Sequence, residues 1–370
     1  MRRTRTLLRI AVLAAAGALL LVPATPSGAA AVTCNGQPVT LPPGGSGPDT
    51  INGTAGNDVI SAGGGNDTIR GSGGNDLICG DAGDDIVVGG TGTDTIFGGA
   101  GNDWSEADQA GVDGADSFFG GAGHDTMAYE NRLPAVTITL DDVANDGGPG
   151  EGDNVRTDIE AIRGSQGNDT ITGGTLRVVV FGRTGNDTIT GSSANDILYG
   201  EGGDDTVNGG AAADQLYGGP GNDTVNGGAN NDLLYAEPIF DGVDRYFGGS
   251  GSDVVSSPRT ASQTLNLDGA ANDGLAGEGD TIGTDVENLS GGAGNDTLTG
   301  NAGNNSLSGA GGSDRLTGGA GSDVLSGDHG DGDRLDGVDG VPGNDRLDGG
   351  LGIDDTCISD PLDPESACEN

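Results

Sequence analysis

Large apolar residues along this chain come singly and at a fixed interval. Ile51, Ile60, Ile69, Ile78, Val87 and Ile96 stand nine residues apart, and most of what separates them is Gly, Asn, Asp, Ser or Thr. That interval is neither the 3.6-residue period of an amphipathic helix nor the sustained alternation of a long strand. It predicts a very short strand, such as Thr68-Ile69-Arg70, Ser117-Phe118-Phe119 or Thr188-Ile189-Thr190, followed by a tight turn, many times over. Within each strand the apolar residue faces one way and its neighbours the other. Gly supplies the left-handed backbone such turns need, and the Asn at 57, 66 and 75 is expected to tolerate it too. One turn and one strand make half a coil. Two nonapeptides therefore close a coil, with two parallel strands and apolar residues meeting inside. The expected fold class is all-β: a parallel β-roll, or β-solenoid, in which repeats n and n+2 stack directly.

Two places before each apolar residue stands an Asp, so the unit reads G-G-x-G-x-D-x-U-x, with U large and apolar. A first array over 44–128 carries Asp49, Asp58, Asp67, Asp76, Asp85, Asp94, Asp103, Asp116 and Asp125. A second over 164–255 carries Asp169, Asp187, Asp196, Asp205, Asp214, Asp223, Asp232, Asp244 and Asp253, with Val178 in one Asp position. A third, less regular array over 291–357 carries Asp296, Asp314, Asp323, Asp345 and Asp354; Asn305 replaces one Asp, the phase slips over 328–337, and Thr356 falls in the apolar column. Between the arrays lie two elongated acidic modules, 129–163 and 256–290. Residues 136–173 match 263–300 at a constant offset of 127, so a larger unit has been duplicated. A cap over 32–43 and a Cys-bearing tail over 358–370 flank the repeats. No other stretch is long enough for a separate catalytic domain.

The first 31 residues differ in kind. Arg2, Arg3, Arg5 and Arg9 precede an apolar run from Ile10 to Val22, and small residues ending at Ala29, Ala30 and Ala31 follow. The pattern is that of a secretory signal peptide, and the apolar run is short for a membrane span. Its removal takes four Arg and no acid, moving the net charge from −42 by four to −46. A chain so acidic, with no Lys at all, should repel nucleic acid and anionic membranes and attract cations. In an exported protein its four cysteines are expected to be oxidised, Cys34 with Cys79 and Cys357 with Cys368 by proximity, with two other pairings open.

Stacking repeats n and n+2 puts carboxylates above one another at strand spacing. At roughly 5 Å and an effective dielectric near 20, each pair repels by about 3 kcal/mol. One apolar side chain per nine residues is a poor core to set against this at every rung. A divalent cation between stacked turns reverses the sign of the repulsion. Oxygen-only donors, from Asp and turn carbonyls on flexible Gly backbone, suit Ca²⁺; Mg²⁺ wants a tighter octahedron, and Zn²⁺ or Cu²⁺ want His or Cys, of which the two His are not clustered. The Asp columns thus read as metal ladders along both edges.

This nonapeptide is that of the repeat-in-toxin family, and nearly the whole chain beyond the signal segment resembles a secreted calcium-binding member of it. The resemblance implies a right-handed parallel β-roll, multiple Ca²⁺ ions held between turns by the Asp of the three arrays and backbone carbonyls, and weak or empty rungs at Val178 and Asn305. It implies a non-enzymatic protein that folds on meeting calcium outside the cell, with a structural or adhesive task at the envelope or on a surface or matrix polymer.

The alternative is a secreted polysaccharide lyase, epimerase or hydrolase on the same scaffold. Its acids would be Asp141, Asp142, Asp146, Glu151 and Asp153, or Asp268, Asp273, Glu278 and Asp280. An elongated turn with extra ligands, or a solvated loop, explains them as well, and sugar-stacking aromatics are scarce. Phe118, Phe119, Tyr199, Tyr217 and Tyr235 are expected to cover or fill the roll, and Trp104 to shield a rung. His124 reads as a turn residue, and no zinc-protease, nucleophile-elbow or phosphate-loop motif occurs.

Overall fold

The computed structural model describes residues 32–107, 114–239, 242–329, 332–338, 341, 344–351 and 355–368. The expected signal peptide lies outside them. Every regular element described is a strand, most of them three or six residues long. One sheet of sixteen strands runs from Thr50–Asn52 to Glu365–Ser366. The other face is built by two sheets, one of five strands from Val59–Ser61 to Asn154–Val155 and one of thirteen from Thr137–Thr139 to Thr356–Ile358. Successive nonapeptides alternate between the faces. Ile51 pairs with Ile69 and Ile69 with Val87 on one, and Ile60 with Ile78 on the other, all in parallel register. Stacked partners are therefore two repeats apart, and the chain forms a parallel β-solenoid. Among the described residues, no helix is long and apolar enough to cross a membrane.

The core is a double file of single side chains. Ile69, Ile78, Val87 and Ile96 in the first array, Leu198, Val207, Leu216 and Val225 in the second, and Leu316, Leu325, Leu335 and Leu347 in the third are all fully buried. In the last unit Cys357 pairs with Leu335 and is buried, while Thr356 beside it is exposed. The apolar column thus passes through Cys357, not Thr356: side chains alternate, and register with Leu335 outweighs the glycine frame from which Thr356 was placed.

Left-handed backbone falls on the second and fourth residues of the unit, as at Gly90 and Gly92. None of Asn57, Asn66 and Asn75 has a positive φ. Their side chains do a different job: Asn57 Oδ1 accepts the Asn75 N–H at 2.9 Å, and Asn75 Oδ1 accepts the Thr93 N–H at 3.1 Å. Each Asn staples its turn to the next.

Both modules interrupt the coil in one way. In the second, Gln263–Asn266, Ala271–Leu275 and Asp280–Ile282 make an antiparallel meander; its outer strands rejoin the parallel stack at Arg245–Ser250 and Thr297–Thr299. In the first, the same excursion is marked by antiparallel bridges between Thr137 and Gly147 and between Asp146 and Asp153.

Of the aromatics, Phe118 is in the core. Others stack on the outer faces: Phe97 on Phe119 at 4.5 Å, and Phe181, Tyr199, Tyr217 and Tyr235 in one file at 5.0, 4.5 and 4.3 Å. Trp104 lies on the same outer face as that file, with the Arg163 guanidinium over its ring.

Cys34 is joined to Cys79 and Cys357 to Cys368. The first bond closes 45 residues and ties the cap to the fourth repeat; the second closes 11 at the far end. Loop-closure entropy sets the expected losses at about 4 kcal/mol for Cys34→Ser with Cys79→Ser and about 3 kcal/mol for Cys357→Ser with Cys368→Ser. Urea unfolding of the calcium-loaded variants measures both, and unchanged midpoints would refute the role given to the bonds.

Candidate metal-binding ladders

Each column Asp sits at the end of its turn, immediately before the strand. There its carboxylate reaches back along the stack. The Asp58 N–H donates to Asp76 Oδ1 at 2.8 Å, and Asp76 N–H to Asp94 Oδ1 at 2.7 Å. On the opposite edge Asp67 N–H donates to Asp85 Oδ1 and Asp85 N–H to Asp103 Oδ1, at 2.8 and 2.9 Å. The second array repeats this from Asp187 to Asp205 to Asp223 and from Asp196 to Asp214 to Asp232. The ladder even crosses the spacers, from Asp94 to Asp116, Asp103 to Asp125, Asp223 to Asp244 and Asp232 to Asp253. Asp169, Asp296, Asp314, Asp323 and Asp345 stand in the same relation. All these side chains are buried; Asp49, at the open end, is half-buried. Asp354 lies outside the described residues, and the column passes through Asp355, whose Oδ1 accepts the Asp333 N–H at 2.9 Å.

The columns have further members, of which Asp153 and Asp280 are among the acids that the sequence offers as extra ligands, whereas Asp333, Glu160 and Glu287 are not. Asp153 and Asp280 accept from Asp116 and Asp244, Asp333 from Asp314, and Glu160 and Glu287 from Asp125 and Asp253. All five obey the narrower rule of an acid two places before a buried apolar residue: Val155, Ile282, Leu335, Ile162 and Leu289. The missing G-G-x-G frame hid the last three. Val178 and Asn305 interrupt the carboxylates as expected: Val178 is a buried apolar side chain, and Asn305 spends its amide on the Asn301 N–H and the Glu287 carbonyl.

One oxygen of each carboxylate is thus used; the other accepts a turn N–H at Asp58, Asp169, Asp196 and Asp296, but in most others it is the anomaly. Oδ2 of Asp67, Asp76, Asp85, Asp103, Asp125, Asp187, Asp205, Asp214, Asp223, Asp232, Asp253 and Asp314 is buried with no hydrogen-bond partner among the described residues. Burial, and secondarily the charges of stacked neighbours, pushes the carboxyl of Asp223 up to about 8, and those of Asp85, Asp187, Asp214 and Asp314 to about 7. Desolvation, rather than the neighbour repulsion emphasised by the sequence, is the larger strain. The space beside these oxygens is kept open by glycine. A Cβ on Gly80 would lie 2.4 Å from Asp85 Oδ2 and 2.5 Å from Gly98 O; on Gly200, 2.5 Å from Asp205 Oδ2 and 2.3 Å from Gly218 O.

Among the described residues, no three His, Cys, Asp or Glu side chains converge as one metal-holding group. The carboxylates run in single file, so main-chain carbonyls must complete any donor set. Such all-oxygen donors on glycine backbone fit a large hard cation such as Ca²⁺ and do not fit zinc or copper.

The acids considered for catalysis are otherwise engaged. Asp146 accepts Thr139 and Val155 N–H groups at 2.7 and 2.8 Å, and Asp273 those of Asn266 and Ile282 at 2.6 and 2.9 Å. Glu278 is buried against Arg259, and Glu151 against Arg132. Neither a solvated loop nor a free acid pair describes them; Asp141, Asp142 and Asp268 alone are exposed. The face-to-face stacking of the outer aromatics leaves few ring faces for a sugar.

The family model of the RTX calcium-binding nonapeptide repeat matches residues 43–78, 80–108, 110–129, 157–175, 181–216, 208–237, 240–256, 281–316 and 308–340. These segments cover more than half of the chain. No curated protein matches it.

Proposed function

The chain belongs to the family of RTX calcium-binding nonapeptide repeat proteins, and from that premise we propose that it is a secreted protein whose solenoid becomes ordered when Ca²⁺ ions enter its two acid ladders outside the cell. The carrying observation is the row of buried Oδ2 atoms that no group among the described residues satisfies. Bound calcium supplies positive charge and coordination to those oxygens. The chain's part is to hold Oδ1 on the stacked N–H, to keep Oδ2 turned inward, and to leave a Cβ-free gap toward the carbonyl of the next coil. The Asp residues of the three arrays are the proposed ligands, joined by Asp333 and Asp355. Secretion is supported by the basic-then-apolar character of residues 1–31, by two disulfides and by the charge of −42. A chain of this kind leaves the cell unfolded at low calcium and orders at extracellular calcium. A structural or adhesive task at the envelope or matrix suits a long acidic solenoid.

Far-ultraviolet circular dichroism during a calcium titration of the metal-stripped protein tests this, with magnesium as control and calorimetry to count ions. Strand signal should rise cooperatively with calcium and not with equal magnesium. Full strand signal in the stripped protein at neutral pH would end the proposal.

A further inference from the structure

At the rungs that the two modules supply or adjoin, the second carboxylate oxygen is met by another group of the chain, although Asp158 in the first module keeps a buried Oδ1 without a hydrogen bond among the described residues. Asp153 Oδ2 accepts the Tyr129 hydroxyl at 3.1 Å, and Asp244 Oδ2 accepts that of Tyr246 at 3.2 Å. Asp280 Oδ2 faces the Arg259 guanidinium at 3.8 Å. Both oxygens of Asp146 and of Asp273 hold backbone N–H groups. Arg259 is completely buried. Its Nη1 and Nη2 grip Glu278, the latter at 3.1 Å, and its Nε donates to the Glu237 carbonyl at 2.5 Å. Arg132, at the same place in the first copy 127 residues earlier, is buried against Glu151, with its guanidinium over the Tyr129 ring.

The guanidinium stands where the arrays have only space. In the array, a Cβ on Gly218 would meet Asp223 Oδ2 at 2.6 Å. Gly274 has the same relation to Asp280 Oδ2, also 2.6 Å, but Glu278 Oε2 and Arg259 Nη1 are there as well, at 2.4 and 3.1 Å. The cores differ too. An array coil buries one large apolar side chain per nonapeptide, whereas the first module alone buries Val136, Ile138, Leu140, Val155, Ile159 and Ile162 in addition to Tyr129.

We propose that the modules are metal-independent anchors of the solenoid: Arg132 and Arg259 provide at these rungs the positive charge that the arrays must take from calcium. This rests on the calcium reading of the arrays. Residues 129–163 and 256–290 then keep their hydrogen bonds at free calcium at which the arrays have opened, and each array reorders from an already formed edge. A linear stack in which every unit touches only its neighbours can nucleate at its most stable unit and propagate outward.

Hydrogen exchange read by mass spectrometry on the whole exported chain, disulfides intact, tests this across free calcium from chelator to millimolar. Module peptides should lose protection at lower free calcium than peptides from 187–235. Arg259→Met should shift 256–290 up to the array transition and leave 129–163 in place. A single coincident transition for arrays and modules overturns the anchors while leaving the calcium reading standing, as does an Arg259→Met chain whose 256–290 profile is unmoved. Arrays still protected in chelator overturn both. Should Arg259→Met not fold even in calcium, the wild-type profile decides alone.

Discussion

Replacing Gly200 by alanine is expected to strip calcium from its edge of the second array and to open the coils beside it, while Gly202→Ala, in the same turn, is expected to be silent. The two glycines are chemically identical and differ in what a methyl group meets. At Gly200 it would lie 2.3 Å from Gly218 O and 2.5 Å from Asp205 Oδ2, closer than real contacts allow. Neither neighbour can yield cheaply: one is backbone in the ladder, and the other belongs to a carboxylate already tied through Oδ1 to the Asp187 N–H. Overpacking of this kind costs about 1–3 kcal/mol before any lost ion is counted. At Gly202 the nearest atom is Arg183 O at 3.7 Å, and Gly→Ala at a compatible site tends to stabilise by about 0.4–1 kcal/mol through the unfolded chain. Calorimetric stoichiometry and the calcium midpoint of folding read the difference. Equal behaviour of the two variants would show that the gap beside Oδ2 has no bearing on the metal.

Acid is expected to do part of calcium's work. Metal-stripped protein should gain strand signal as pH falls from 8 to 5, while for calcium binding the same change should raise the calcium needed. Burial holds Asp223 near 8, Asp187 and Asp214 near 7, and Asp205 and Asp232 near 6, each with stacked or adjacent acids adding to the rise. An unfolded Asp titrates at about 3.9. A group whose pKa is higher in the folded state favours folding when protonated. Its contribution is complete below about pH 4 and vanishes as pH climbs through 6 to 8. Calcium requires the deprotonated form, so protons compete with it and are released when it binds. Circular dichroism of stripped protein at the two pH values, and calcium midpoints at each, give the two slopes. A strand signal or a calcium midpoint that fails to rise as pH falls would mean that the buried carboxylates do not govern the order of the chain.

The fold was legible because its information is local. Each coil touches only the next, so the nine-residue spacing of Ile60, Ile69 and Ile78 suffices to place strands, faces and stacking partners. The regular ladder was legible for the same reason. What escaped notice depends on contacts that the repeat does not encode. Asp333, Glu160 and Glu287 join the columns through strand register, without the glycines that flagged the others. Arg132 and Arg259 look like ordinary spacer residues until the excursion of each module folds them inward. Asn57 and Asn75 suggested backbone tolerance, yet act through their side-chain oxygens.

The aromatic file on the outer face gives the molecule an optical readout of its own. Phe181, Tyr199, Tyr217 and Tyr235 belong to consecutive coils of the second array, whereas the single Trp104, under Arg163, belongs to the first. Tyrosine coupling in the near ultraviolet and indole emission therefore watch different stretches of the rod, and the sequence in which those stretches lose order can be followed without attaching a dye.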